Sequence, residues 1–217
     1  QEGLPGEPVL TRPVRVADAA ALEWLPVHES CTAALSALAA ATCEPLRPAE
    51  LAPLRDDLRD VRLPRAVRAA VDDALGALER LEVSVLRHGD TSPQNCLVDD
   101  GALVGLVDWE LAQQGALGFD IWNLTLASLE QGIGLVAWSD DVVGTAFRSA
   151  WHGSPFFRAA RSAARASAAQ AGVDSELHDA LEVAFFARRV ARRVQRPASY
   201  AVGPQLAIDM LTAVCAP

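Results

Sequence analysis

A chain of 217 residues, 51% hydrophobic and 22% charged, is long enough to bury a core and has a globular rather than a disordered composition. Its formal net charge of −9 argues against non-specific binding to nucleic acid, because phosphates favour a basic surface, and is compatible with a cationic small molecule. The longest weakly polar run, residues 31–43, is shorter than the about 20 residues that span a bilayer, so we expect no membrane partner.

Cysteine and histidine usage bears on compartment and metal binding. The 4 cysteines form no C-x-x-C pair, and the 4 histidines are too scattered for the ligand spacing of a zinc site. No basic segment followed by an apolar stretch opens the sequence, so we expect no secretory signal. These features predict a reduced, cytoplasmic protein without a structural metal. All 19 basic residues are arginine, and the chain has no lysine.

The first predicted elements are an irregular lead-in and three helices. Residues 1–13 contain three prolines and two glycines and predict no regular structure. Residues 14–26 predict a short extended or mixed segment that ends at Pro26. Helices are predicted over about 30–42 and about 48–59, and an amphipathic helix within 63–81, where apolar residues recur every three or four positions.

The pattern then changes to short apolar runs typical of β-strands, at residues 83–86, 96–98 and 102–107. Asp99, Asp100 and Gly101 join the last two runs and predict a hairpin turn. Beyond Gly118 the helical period returns, and this order predicts a predominantly helical α+β fold. The later helices are predicted near residues 119–131, 140–151, 155–171, 175–196 and 199–214.

Three polar residues around the hairpin have the spacing of a phosphoryl-transfer site. Such transfer needs an acceptor hydroxyl held in line and a divalent metal that neutralises phosphate charge. Protein kinases supply an Asp for the hydroxyl proton, an Asn five residues later for metal, and a second metal-binding Asp beyond a hairpin. Asp90 and Asn95 have this spacing, and Asp108 follows the predicted hairpin. Their oxygen atoms are suitable ligands for Mg²⁺, whose octahedron phosphates and water complete.

The segments "HGDTSPQN" (88–95) and "LVGLVDWE" (103–110) resemble the signature segments of the aminoglycoside phosphotransferase and choline kinase family, a relative of the protein kinases. The resemblance implies a catalytic loop in which Asp90 is the catalytic carboxylate and His88 shapes the loop. It also implies that Asn95 and Asp108 bind Mg²⁺ and thereby the phosphates of ATP or GTP. Asp120, in "GALGFDIWNL", matches a family Asp that braces the catalytic loop. The match is close over residues 84–126.

Each of these residues also has a simpler structural explanation. Asp90 alone can be a turn or capping residue, and Asn95 can bond its own backbone. Asp108 can end a strand, and Glu110 is more simply a surface residue. The combination of H-G-D, an Asn at the fifth position, a hairpin and V-D-W favours the catalytic interpretation.

The resemblance implies a kinase-like C-terminal lobe over residues 28–217, preceded by a lead-in (1–27) in which "ALEWLP" (21–26) is a candidate hinge between lobes. The family also has an N-terminal β lobe, with a loop over the phosphates and a lysine that contacts them. No five-stranded pattern precedes His88, and proline removes N–H donors from "GLPGEP" (3–8). Two explanations are open: the smaller lobe is removed, disordered or supplied by another chain, or the protein lacks it and does something else. The presence of all three site residues favours the first.

The leading hypothesis is an ATP- or GTP-dependent, Mg²⁺-assisted O-phosphotransferase acting on a hydroxyl of a small molecule (antibiotic, amino alcohol or sugar), or the catalytic lobe of one. Antibiotic resistance is one role open to it. The alternative is a catalytically impaired, pseudokinase-like binding module in a larger assembly, motivated by the missing lobe and lysine. A metal-dependent hydrolase using His88 and Asp90 is weaker, because it needs more ligands than the neighbourhood offers.

Overall fold

A computed structural model of the chain describes residues 7–8, 19–134, 140–196 and 204–216. These residues form the predicted fold class, a predominantly helical α+β domain with short strands. Its strands are β1 (Glu7–Pro8), β2 (Val85–Arg87), β3 (Cys96–Asp99), β4 (Ala102–Leu106) and β5 (Gln113–Gly115). Its helices are α1 (Ala19–Ala41), α2 (Leu54–Asp57), α3 (Arg65–Ala77), α4 (Phe119–Gly134), α5 (Asp140–Gly153), α6 (Pro155–Gln170), α7 (Ser175–Gln195) and α8 (Pro204–Val214).

Most of the predicted helices are confirmed. The amphipathic pattern within 63–81 forms α3 and a 3₁₀ turn, Leu78–Arg80, and buries the predicted apolar face. The helices α4 to α7 begin where the sequence places them and end within three residues of the predicted positions. The last helix is described from Pro204, and its predicted start at residue 199 lies outside the described residues.

The prediction for the segment before residue 30 is wrong. The first long helix was expected to begin near Ser30, after an extended segment ending at Pro26, whereas α1 begins at Ala19 and contains Pro26. Proline costs a helix one hydrogen bond but has a helical φ, and tertiary packing can offset that cost. Cys31 and Leu35 of α1 are buried, and α1 packs along α6. The candidate hinge, residues 21–26, is therefore helical.

The second predicted helix, over 48–59, is interrupted. A 3₁₀ turn, Ala49–Leu51, is followed by the single-turn helix α2. Pro53 lies between them and has no N–H to donate to the carbonyl of Ala49, so a continuous helix is not supported there.

The predicted hairpin is present as β3 and β4. Asp99 pairs with Ala102, and the two residues between them, Asp100 and Gly101, have φ of 45° and 76°. Positive φ at both central positions is the geometry of a type I′ turn, for which Asp-Gly is a favoured sequence.

Two strands were not predicted. Residues 7–8, assigned to the irregular lead-in, form β1 and pair antiparallel with β3 at Leu97 and Val98. The polar segment Gln113–Gly115 forms β5 and pairs antiparallel with β2. Neither strand has the alternating apolar pattern of a half-buried strand. Both form through backbone pairing with a strand elsewhere in the chain, which their own sequences do not indicate.

The core between α4, α5, α6 and α7 is aromatic. Trp122 of α4 lies 5.5 Å from Trp151, and Phe186 of α7 lies 5.2 Å from Trp151, between ring centroids. Phe147 packs against the same rings. This cluster fixes α4, whose first turn faces the loop after β2. Within the described ranges, no helix combines the length and apolar character that a membrane crossing requires.

Candidate active site

The loop that follows β2 is held by His88, which is fully buried. Its Nε2 donates to the carbonyl of Val107 over 2.8 Å, which leaves Nδ1 to accept the N–H of Asp90 at 3.4 Å. The imidazole also lies 4.7 Å from the ring of Trp109. His88 thus connects the loop to the segment that carries Asp108, and its burial fits the predicted shaping role rather than contact with a substrate.

Asp90 and Asn95 are connected across the loop. The Nδ2 of Asn95 donates to the carbonyl of Asp90 over 2.9 Å and lies 3.4 Å from Asp90 Oδ2. The turn Pro93–Asn95 closes the loop, with the N–H of Asn95 donating to Ser92 at 2.9 Å. Because the amide nitrogen of Asn95 is used inside the loop, its amide oxygen is the atom suited to a cation. The Asp90 side chain is exposed.

Asp108 stands where the hairpin ends, and its side chain is exposed. Its backbone is left-handed, with φ of 66° and ψ of 60°, and it precedes the turn Trp109–Leu111. Asp is among the few residues other than glycine that tolerate this region, and such backbone geometry is concentrated at functional sites. The N–H of Val107 donates to the carbonyl of Asn95 over 3.0 Å. Asn95 therefore lies directly beside the segment that leads into Asp108.

Asp120, in the first turn of α4, faces the same loop from behind. Its Oδ2 accepts the N–H of His88 at 2.6 Å, and its Oδ1 accepts that of Gly89 at 3.2 Å. Its carbonyl accepts the hydroxyl of Thr91 at 2.8 Å. These are the contacts that a bracing role requires.

The structure thus brings His88, Asp90, Asn95 and Asp120 together around one loop and places Asp108 next to it. Their chemical roles stay predictions. Sequence reasoning missed Thr91, and it missed Asn123, whose Nδ2 donates to the carbonyl of Thr91 at 3.1 Å. The position of Thr91 directly after H-G-D was the available signal. The turn residues Asp99 and Asp100 are exposed and form the hairpin, as predicted.

The donor atoms suit Mg²⁺. Asn95 offers an amide oxygen and Asp108 a carboxylate, and Mg²⁺ binds hard oxygen ligands while keeping sites for phosphate and water. Among the residues that the structure describes, no three or more His, Cys, Asp and Glu side chains form a metal cluster. A site with one carboxylate and one amide fits an ion that arrives with a nucleotide rather than one held in an all-protein cage.

Comparison with two solved structures of a glucosamine kinase supports the kinase-like fold. Two crystal forms of a glucosamine kinase align with a TM-score of 0.51, at 19% identity over 88% of this chain and at 20% over 89%. A macrolide 2′-phosphotransferase from Brachybacterium faecium aligns with a TM-score of 0.46, at 20% identity over 99% of this chain and 68% of its own. The chain covers 53% of the glucosamine kinase, about half of its length. No curated protein gives a significant match.

The family comparison agrees with the resemblance in the two signature segments. A model of the phosphotransferase enzyme family matches residues 1–138, which is more than half of the chain and includes His88, Asp90, Asn95, Asp108 and Asp120. The chain belongs to the phosphotransferase enzyme family.

Proposed function

We propose that this chain is the catalytic and acceptor-binding lobe of an ATP- or GTP-dependent, Mg²⁺-assisted O-phosphotransferase that acts on a hydroxyl of a small molecule. One observation carries the proposal: Asn95 bonds Asp90 through its side chain and Val107 through its carbonyl, so one residue joins the loop to the segment before Asp108. Turn formation alone does not require these bonds between the two segments.

Asp90 is the proposed catalytic residue. Its exposed carboxylate is able to accept a hydrogen bond from an acceptor hydroxyl and to take its proton as the phosphoryl group is transferred. The bonds of Asn95 and His88 to the backbone of Asp90 fix the position of that carboxylate before substrate arrives. Such preorganisation is the main contribution a protein makes to this reaction.

Asn95, through its amide oxygen, and Asp108, through its carboxylate, are the residues proposed to hold Mg²⁺. When bound, this ion supplies positive charge that stabilises the phosphate oxygens. Asp108 has a left-handed backbone and follows Val107, whose N–H donates to the carbonyl of Asn95. The bond of Trp109 Nε1 to the carbonyl of Leu106 at 2.8 Å fixes the turn that follows.

We further propose that the groups that bind the nucleotide from the other side come from outside these 217 residues, from a smaller lobe or a partner chain. The chain contains no lysine, and it covers only 53% of the glucosamine kinase that it resembles in fold. Antibiotics, amino alcohols and sugars are the acceptor classes to test. The net charge of −9 favours cationic members of each class.

Calorimetric titration of the full-length protein with Mg²⁺-ATP and Mg²⁺-GTP tests the metal site. Asp108→Asn keeps the shape of the side chain and removes its charge, so we expect metal-dependent nucleotide affinity to fall by at least about tenfold. Asp99→Asn, at an exposed turn of the same hairpin, is the matched control and is expected to leave affinity unchanged. Equal affinities of the two variants would contradict the proposed ligand role of Asp108.

The absence of lysine from the chain also favours a second candidate, a pseudokinase-like binding module within a larger assembly. The same titration separates the two functions. Tight, metal-dependent nucleotide binding by the full-length protein would rule out the module. Failure of the full-length protein to bind any nucleotide, with or without Mg²⁺, would favour it over the phosphotransferase.

A further inference from the structure

A buried ion pair lies behind the catalytic loop. The Nη1 of Arg87 donates to Glu50 Oε1 over 2.6 Å, and these side chains are only 4% and 9% exposed. Neither residue belongs to the two signature segments, since Arg87 ends β2 and Glu50 lies in the turn Ala49–Leu51. Charges taken out of water are costly unless they are paired and hydrogen-bonded. The contacts that surround this pair therefore indicate what it does.

Arg87 faces the carboxylate that holds the loop. Its Nε lies 3.5 Å from Asp120 Oδ1, the oxygen that accepts the N–H of Gly89. Its guanidinium lies over the ring of Phe119, 5.1 Å from the centroid. Arg87 is thus confined between the aromatic ring and two carboxylates, and its positive charge lies next to the carboxylate of Asp120.

Glu50 attaches the pair to the strand that precedes α4. Its Oε1 also accepts the N–H of Ala116 over 2.8 Å, directly after β5. Gly115 makes this approach possible, because a Cβ there would lie 2.6 Å from Glu50 Oε1 and 2.9 Å from Arg87 Cδ. One carboxylate oxygen therefore joins β2, through Arg87, to the segment that leads into Asp120.

We propose that Glu50 and Arg87 form a positioning pair that fixes Asp120 and, through it, the backbone of the catalytic loop at His88 and Gly89. Glu50 neutralises the charge of Arg87 and holds the guanidinium away from Asp120. The carboxylate of Asp120 therefore stays available to accept the N–H groups of His88 and Gly89. Without the charge of Glu50, the guanidinium competes with those amides for Asp120, and the loop loses acceptors. The consequence for catalysis rests on the proposed phosphotransferase function, whereas the structural role does not.

Hydrogen exchange of the His88 and Gly89 amides, measured by NMR on this chain relative to amides of α3, tests the pair. A buried hydrogen bond to a charged group stabilises by more than the roughly 1.4 kcal/mol that corresponds to a tenfold change in an equilibrium, so Glu50→Gln is expected to speed this exchange at least about tenfold. Arg87→Met is expected to speed it too, because it leaves the Glu50 carboxylate, which holds the Ala116 segment before Asp120, buried without its partner. Arg161 and Glu182 supply matched controls, as an ion pair at 3.6 Å with Arg161 over an aromatic ring. Arg161→Met and Glu182→Gln are expected to change the relative exchange less than about twofold.

Unchanged relative exchange at His88 and Gly89 in Glu50→Gln would overturn the proposal, as would an equal effect of the control variants. Arg87→Lys covers the case in which Arg87→Met does not fold, because it keeps the charge and loses the planar fork. An exchange rate in Arg87→Lys between those of the wild type and Glu50→Gln is expected, and a wild-type rate would show that the fork is not needed.

The full-length protein provides a second readout. There we expect Glu50→Gln to lower kcat at least about tenfold while KM for the nucleotide changes less than about twofold, because the pair acts on the loop backbone at His88 and Gly89, directly before Asp90, and not on Asn95 or Asp108. An unchanged kcat would contradict the positioning role. If the wild-type protein transfers no phosphoryl group, the proposed function fails, and the exchange measurement still decides whether the pair positions the loop.

Discussion

Replacement of Gly89 by alanine is expected to distort the catalytic loop. Gly89 has φ of 86°, and a Cβ there would overlap the carbonyl oxygen of Leu111 and lie 3.1 Å from its Cβ. Leu111 ends the turn that follows Asp108, so the strain falls between the two halves of the site. Gly101 is the matched control, because it has φ of 76° but open space where a Cβ would stand.

The magnitudes follow from these two environments. A left-handed alanine costs roughly 1–2 kcal/mol, and about 0.4–1 kcal/mol is regained by restricting the unfolded chain, so Gly101→Ala is expected to lose about 1 kcal/mol of stability. Gly89→Ala carries the same backbone cost and adds roughly 1–3 kcal/mol for overlap in a packed site. We therefore expect it to lose about 2–4 kcal/mol in total.

Urea unfolding followed by tryptophan fluorescence measures both variants against the wild type. The expected result is that Gly89→Ala lowers the free energy of unfolding clearly more than Gly101→Ala does. Equal losses for the two variants would refute the close approach of Gly89 to the Leu111 carbonyl, and with it the described packing of the catalytic loop on the Asp108 turn.

Two further predictions concern the pH dependence of stability. Burial lowers the pKa of His28 to about 3 from an ordinary value of 6.5, so the unfolded state binds the proton first and stability falls as pH drops below 6.5. His28 Nε2 contacts Thr125 Oγ1 at 3.1 Å, and His28→Gln keeps a donor for that oxygen. In urea unfolding, the wild type is expected to be about 2 kcal/mol less stable at pH 5 than at pH 8 because of His28, and His28→Gln should remove that difference. A wild-type pH dependence in this variant would contradict the burial of a neutral imidazole. Burial also raises the pKa of Glu182 from 4.5 to about 7 against the opposing charge of Arg161, so its contribution to stability is present below 4.5 and is lost as pH rises through 7. The free energy of unfolding of Glu182→Gln should therefore rise by about 2 kcal/mol relative to that of the wild type between pH 5 and pH 8. No such rise would contradict the raised pKa and show that Arg161 fully compensates the buried carboxylate.

Local patterns were sufficient for the features that depend on a few neighbouring residues. Asp100 and Gly101 predict a two-residue turn because positive φ is needed at both positions, and the turn has that geometry. The amphipathic period predicts α3, and the two signature segments predict a kinase-like fold. The same segments identified Asp90, Asn95 and Asp108, which the structure places in and beside one loop.

Features that depend on distant contacts were not predictable in this way. Pro26 signals a helix end locally, but packing of α1 against α6 keeps the helix continuous. The strand β1 exists because residues 7–8 meet β3, about 90 positions away. Glu50 and Arg87 are 37 positions apart, and nothing in their local sequences indicates that they pair. A charged residue at the end of a buried strand is the one local signal that Arg87 offered.

The central claim is that Asp90, Asn95 and Asp108 form a phosphoryl-transfer site. The most direct test is ³¹P NMR of the full-length protein with Mg²⁺-ATP or Mg²⁺-GTP and a panel of hydroxyl compounds that includes amino sugars, amino alcohols and antibiotics. The account predicts a phosphate ester on at least one acceptor, formed only with Mg²⁺, and a loss of at least about a hundredfold in rate for Asp90→Asn but not for Asp99→Asn. Absence of any phosphate ester across the panel, or equal rates for Asp90→Asn and the wild type, would contradict it.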